Sequence, residues 1–234
     1  VITLLPQNTS ITEQMDKDDC DLSKLKNTYR AFSYVNKLVS GWSWIWKKEV
    51  EPLLLPGNFS IADIGCGGGD IAWDFIWRAD KVGKTISVVG VDPDKRAIRY
   101  ARKQYNYPRL TFKNTKIEDL PDNYVDVATC NHLIHHLEED QIPDFFQHLK
   151  RIARKKVIVN DIHRSLLAFI GYPLIALPYA RNSFLMTDGL RSIRKAFTRN
   201  ELLKIAGEGW EKEIYLPFRS VLIYDHQKQN GCGA

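Results

Sequence analysis

The sequence predicts an α/β protein with a seven-stranded, mostly parallel sheet, and three observations carry that. Short apolar runs alternate with amphipathic helical stretches from residue 60 to residue 160, the pattern of repeated strand–helix–strand units. The run Thr85–Asp92 holds Val88, Val89 and Val91, as a parallel strand buried on both faces does. Ile61–Ile64 passes directly into Gly65, Gly67 and Gly69, and a helix starts near Asp70. Strand, glycine loop and helix N-terminus in that order suit a nucleotide-like ligand.

The elements follow along the chain. Residues 1 to about 15 are polar and are expected to be poorly ordered. From Asp19 on, Leu22, Leu25, Tyr29, Phe32, Val35, Leu38 and Val39 recur at helical steps, and Gly41 breaks the pattern. Trp42, Trp44 and Trp46 follow; two are expected to pack on the core, with the alternative that one lines a greasy pocket. Pro56-Gly57-Asn58 closes an N-terminal helical lid segment, 1–57, ahead of the main domain, 58–234. Strands are expected at Ser60–Ile64, Thr85–Asp92, Leu110–Lys113, Val125–Cys130 and Lys156–Asn160. Helices are expected at Asp70–Ala79, Lys95–Tyr105 and Glu139–Arg151, with Asp94 as an N-cap. Residues 165–197 break the rhythm as an apolar, proline-broken insertion. Thr198 and Glu201 form a capping box for a last helix that ends at Gly207. Glu211–Tyr215 and Ser220–Tyr224 then read as a final antiparallel pair.

The bulk properties exclude several classes. The chain has 234 residues, enough for one large domain or one with a cap, and its 44% hydrophobic content allows a full core. Its 33 basic and 28 acidic residues leave a net charge of +5, too mild and too scattered to mark a nucleic-acid binder. Cys20, Cys66, Cys130 and Cys232 show neither metal spacing nor a disulfide framework, which points to a reducing cytosol. The longest apolar stretch, Leu166–Tyr179, holds Gly171, Pro173 and Pro178. It falls short of the ~20 residues that span a bilayer. No secretory signal pattern opens the chain, so a cytoplasmic location without stable membrane insertion is expected.

The spacing of the glycine loop narrows the ligand. A dinucleotide fingerprint needs glycine at position 70, where this chain has Asp70. The glycines fall instead at 65, 67 and 69, with Asp63 two residues ahead. This D-x-G-x-G-x-G resembles the first motif of the class I S-adenosylmethionine (AdoMet) methyltransferases, whose fold is Rossmann-like. The resemblance runs over residues 58 to 225. It implies that Asp63, Gly65, Cys66 and Gly67 hold the methionine end of AdoMet. It places Asp92 and Pro93, at the end of the second strand, beside the ribose. A carboxylate there can accept both ribose hydroxyls. The segment Lys116–Pro121 resembles the one that edges the adenine. Lys116 stands where that family has an acid, which leaves the Ile117 amide as the candidate contact, with Glu118 or Asp119 as alternative stand-ins for the acid. Asn131 and the histidines after it match the motif that passes the methionine. The stretches N-D-I-H-R-S and D-G-L-R-S-I-R-K-A-F-T also look like a bacterial subgroup tied to polyketide and other secondary metabolism, with a substrate cap at 165–197.

Four histidines stand near the expected strand ends: His132, His135, His136 and His163. An unperturbed imidazole titrates at ~6.5 and suits proton removal at neutral pH. His135, His136 and His163 are the candidate bases. On a helix only one of two neighbours could face a site, and His132 and His136 would share a face. That pair lacks a third ligand, so no metal is expected. Arg164 is either a holder of a substrate oxygen or a surface ion pair. The resulting expectation is methyl transfer from AdoMet to a small aromatic or lipophilic acceptor, an O-methylation before a C- or N-methylation. A non-catalytic AdoMet-binding protein is the further alternative. The tetrad of nucleic-acid amino-methyltransferases is replaced by Asn131-His132-Leu133-Ile134, so a small-molecule partner and no nucleic acid are expected. The sequence does not set the oligomeric state.

Overall fold

The computed structural model describes residues 5–55, 57–213 and 218–231. Helix α1 (Leu22–Val39) starts at Asp21, whose carboxylate accepts the amides of Ser23 and Lys24. A short α2 (Trp42–Ile45) runs on through a wide turn, Trp46–Val50, and a tight one, Glu51–Leu53. The alternating part follows: β1 (Phe59–Ile64), α3 (Asp70–Lys81), β2 (Ile86–Asp92), α4 (Lys95–Gln104), β3 (Leu110–Asn114), β4 (Val125–Asn131), α5 (Ile142–Ile152) and β5 (Ala153–Ile162). Helices α6 (Leu166–Ala176) and α7 (Leu185–Lys195) form the insertion. Then come α8 (Arg199–Ala206), β6 (Trp210–Glu213), β7 (Arg219–Asp225) and α9 (His226–Gly231). Ile214 and Tyr215, at the end of the expected first final strand, lie outside the described residues.

The strands form one sheet in the order β3-β2-β1-β4-β5-β7-β6. The first five are parallel, and β7 runs antiparallel to both β5 and β6. Strand order reverses between β1 and β4, so the crevice for a ligand opens at their carboxyl ends. Register places those ends level, with Ile64 opposite both Val91 and Cys130.

Alternation along the strands divides the core into two layers. Ile61, Val88, Val127 and Ile158 face Trp42, Trp46, Phe75 and Ile76. Ala62, Val89, Ala128 and Val159 face Phe146, Leu149, Ile152 and Leu202. Trp42 packs edge-on to Phe75 with ring centroids 4.8 Å apart, and Trp46 stacks on the same ring at 5.8 Å. Trp44 is 63% exposed. Two tryptophans thus pack the core as expected. The pocket-lining alternative fails, because none of the three borders the cavity described below.

Two further expectations are corrected. The first helix of the insertion ends at Ala176, ahead of Pro178 in the tight turn Leu177–Tyr179, but it is not broken at Pro173, which lies inside the continuous helix α6. The ring only deprives the carbonyl of Phe169, four residues back, of an amide donor. Residues 5–20 are not loose either. They form a strap held to α7. The Asn8 amide donates to the Arg194 carbonyl at 3.0 Å, and the Gln7 side chain donates to the Lys195 carbonyl at 2.9 Å. The amides of Gln14 and Met15 both donate to the Asp188 carboxylate at 2.9 Å. A polar strap docks because its backbone donors are met by a buried acid, which hydrophobic periodicity does not register. Val1–Leu4 lie outside the described residues.

Candidate active site

A cavity of about 1100 Å³ opens above the carboxyl ends of β1, β2 and β4, between the strap, α1 and the insertion. Ligand pockets run to roughly 300–1,000 Å³, so it has room for more than one small molecule. The floor is the glycine loop. Gly65, Gly67 and Gly69 all have positive φ, at 68°, 50° and 83°. A Cβ on Gly65 would lie 2.8 Å from Leu133, whereas at Gly67 the nearest atom is 4.0 Å away. Gly67 therefore presents bare backbone to the cavity.

Carboxylates surround this loop. Asp92 accepts the Gly67 amide at 2.9 Å with one oxygen and the Asp94 amide at 2.8 Å with the other. Asp63 is buried; one oxygen meets the Thr129 hydroxyl at 3.4 Å and the other has no partner. Burial raises its carboxyl well above the usual range, and Asp70 and Asp92 push the same way. Asp70, itself pushed up to about 6 by burial, accepts from Asn36 at 2.9 Å. An orphaned buried carboxylate oxygen among other acids suits a cationic group, as an ammonium next to a sulfonium would be.

Opposite the loop, the chain leaves β4 through Asn131. Its side-chain oxygen accepts from Trp42 Nε1 at 3.0 Å, Asn160 at 3.1 Å and Arg219 at 3.4 Å. His132 has a positive φ of 55° and its ring contacts the Arg219 guanidinium. A guanidinium only donates, so His132 accepts. Burial and then Arg219 hold its pKa well below the ordinary value. Residues Ile134–His136 form a tight turn rather than an α-helix, so the expected face-sharing fails. Both His135 and His136 border the cavity, with ring centroids 4.4 Å apart. Asp161 takes the His135 amide at 3.0 Å and its Nδ1 at 2.7 Å. His136 Nδ1 meets Asp16 at 3.0 Å. Glu13 Oε1 lies 3.6 Å from His135 Nε2 and 3.8 Å from His136 Nε2. Burial lowers the His136 pKa, but Glu13 and Asp16 outweigh it and the net shift is upward. For Asp161 burial is likewise outweighed, by His135, and its carboxyl stays well below the usual range.

Of the residues singled out from the sequence, Asp63, Gly65, Cys66, Gly67, Asp92, Pro93, Asn131, His135 and His136 come together on this cavity. Three do not. Ile117 is packed in the core with Leu120 and Val125, and the cavity wall includes no residue of 98–130. His163 lies off the cavity beside Ser220, with its pKa lowered to about 4 by burial and then by Arg199 and Arg164. Arg164 follows its ion-pair reading, although the guanidinium is buried and not at the surface. It holds Glu201 at 2.6 Å and the Ala196 carbonyl at 3.2 Å, fixing the start of α8. Sequence reasoning missed Glu13, Asp16 and Arg219, and it read Tyr29, which borders the cavity, only as a helix position. Glu13 and Asp16 sit in a polar stretch with no period to mark them.

Comparison with known proteins bears on the family and the fold. Residues 61–156 match the family model of the methyltransferase domain. The ubiquinone biosynthesis O-methyltransferase of Rickettsia typhi is 31% identical over 124 residues, 51% of this chain and 47% of that protein. The ubiquinone/menaquinone biosynthesis C-methyltransferase of Campylobacter jejuni is 25% identical over 54% of this chain and 57% of that one. The chain thus spans about half the length of these two curated relatives. Among solved structures, the plantazolicin methyltransferase bound to S-adenosylhomocysteine superposes with a TM-score of 0.55 at 15% identity. That match covers 82% of this chain and 78% of that one, and is a likeness of fold.

Proposed function

We propose that this chain, which carries a class I AdoMet-dependent methyltransferase domain, moves a methyl group from AdoMet to a hydroxyl of a small, apolar, flat acceptor. The observation that supports the reading most is the facing of two halves across one cavity. On one side stand the open Gly67 backbone and the unpartnered Asp63 oxygen. On the other stands His135, backed by Asp161 at 2.7 Å.

In this reading Asp63 attracts the ammonium of the methionine moiety, Gly65–Gly67 lies along it, and Asp92 and Pro93 border the ribose. Asn131 closes the cofactor side. AdoMet supplies a methyl already activated by its sulfonium, so the protein's task is alignment and removal of the acceptor's proton. Asp161 holds the proton of His135 on Nδ1, which leaves Nε2 as the accepting atom towards the cavity. His136 stands beside it as the second base candidate. His163 has no such position. Phe32, Val35, Ala168, Tyr172 and Ile175 give the acceptor region an apolar wall, which favours a phenol, quinol or polyketide enol. Ile117 keeps a part only if the adenine reaches past Pro93.

C- or N-methylation remains the second reading, since the curated relatives include a C-methyltransferase. No described helix is long and apolar enough to cross a membrane, and a cytoplasmic enzyme of secondary metabolism without a nucleic-acid partner fits the proposal. The test is incubation with AdoMet and a panel of phenols, quinols and polyketide enols. Formation of S-adenosylhomocysteine with a methyl ether is the expected result. A C- or N-methylated product would support the second reading. AdoMet binding without turnover on any acceptor would support a binding protein.

A further inference from the structure

The cluster of Glu13, His135 and His136 has a geometry that proton transfer alone does not require. Each imidazole carries a carboxylate on its Nδ1: Asp161 at 2.7 Å on His135 and Asp16 at 3.0 Å on His136. That puts the ring protons on Nδ1 and the lone pairs on Nε2. Both Nε2 atoms then point at the same oxygen, Glu13 Oε1, from 3.6 Å and 3.8 Å. These separations are too long for hydrogen bonds. They are close to the ~3.4 Å between two donors that share a tetrahedral ion at ~2.1 Å.

We propose that Glu13, His135 and His136 form a binding site for a divalent transition-metal ion inside the cavity. The three donor groups lie within 4.8 Å of one another. The carboxylate behind each imidazole is the outer layer that fixes ring orientation and tautomer in metal-bound histidines. The Ser192 hydroxyl donates to Glu13 Oε1 at 2.8 Å and orients the third donor in the same way. With neutral imidazoles, Glu13, Asp16 and Asp161 leave three negative charges, against which Lys195 and, beside Asp161, Arg219 are the nearby cations. A dication answers that excess. Two imidazoles and a carboxylate suit zinc or a neighbouring first-row ion better than magnesium or calcium. The pair first considered from the sequence, His132 and His136, is excluded because Arg219 occupies the His132 ring. The third ligand comes instead from the strap, more than 120 residues earlier in the chain.

Three protein donors would leave room on the ion for a further ligand. With the ion bound, Nε2 of His135 and of His136 would be ligating and not free to accept a proton, and a hydroxyl oxygen on the ion would release its proton to water instead. This role, though not the site itself, rests on the methyl-transfer reading.

The test uses the full chain without a histidine tag, stripped with chelator and titrated with Zn²⁺ against a chromophoric competitor. AdoMet binding is measured by calorimetry on the same samples. One ion per chain is expected. Glu13→Gln and His136→Gln should each weaken it by about tenfold or more while AdoMet still binds, which reports an intact fold. Co²⁺ substitution of the unmutated chain should give the intense visible bands of a four- or five-coordinate site. Absence of stoichiometric Zn²⁺ binding, a weak octahedral Co²⁺ spectrum, or affinity unchanged in both variants would overturn the site. Failure of AdoMet to bind the unmutated chain would instead overturn the methyl-transfer reading, whatever the metal result.

Discussion

At the scale of single residues, Asp92 does more than wait for a ribose. Its two oxygens already hold the amides of Gly67 and Asp94, so it shapes the loop that it also borders. Asp92→Ala is expected to cost about 1–3 kcal/mol of stability by leaving two partly buried amide donors unmet. It should also weaken AdoMet binding. Urea denaturation without ligand and calorimetry with it would separate the two effects. His163 gives a second prediction. Its folded pKa of about 4 lies below the unfolded value near 6.5. Above pH 6.5 the ring is neutral in both states and costs nothing. As pH falls from 6.5 to 4 the unfolded chain binds a proton that the folded one refuses, so stability is lost across that window. His163→Gln should lose less melting temperature between pH 6.5 and 4 than the unmutated chain. Equal slopes would remove His163 as the cause.

At the scale of elements, the strap behaves as a third wall clipped on by few groups. Asp188 takes two of its amides, and Ser192 takes Glu13. Asp188→Ala should raise hydrogen exchange over residues 8–20 while the central strands keep their protection. Unchanged exchange in the strap would show that its other contacts suffice. The strands and helices were legible because each carries a local period or cap. The buried run of β2, the Asp94 N-cap and the Thr198–Glu201 box all appear where the residues put them. The strap was not legible. It is held by a side chain 174 residues away from Gln14, and no local pattern encodes that contact. The histidine turn misled for a related reason. The positive φ of His132 and the three-residue turn after it depend on Asn160 and Asp161 of the neighbouring strand.

At the scale of the whole molecule, the half of the site proposed for the cofactor was largely readable, because the glycine motif after β1 and the acid ending β2 carry local signals. The acceptor half is assembled from the strap, the β4 exit and the insertion, which meet only in the folded chain. The sheet carries one consequence of its own. β7 comes last of the seven strands, yet it lies between β5 and β6. While the protein is being made, the long edge of β5 stays open until residues 219–225 leave the ribosome. Open edges of this kind are templates for wrong pairing. β7 also delivers Arg219, whose guanidinium donates to Asn160 at 2.8 and 2.9 Å and contacts His132 behind the cavity. Closing the sheet and setting the wall of the site are thus one event, and it comes late. A nascent chain that stalls before residue 219 would expose both a sticky edge and an unfinished pocket, which makes it a natural client for a chaperone.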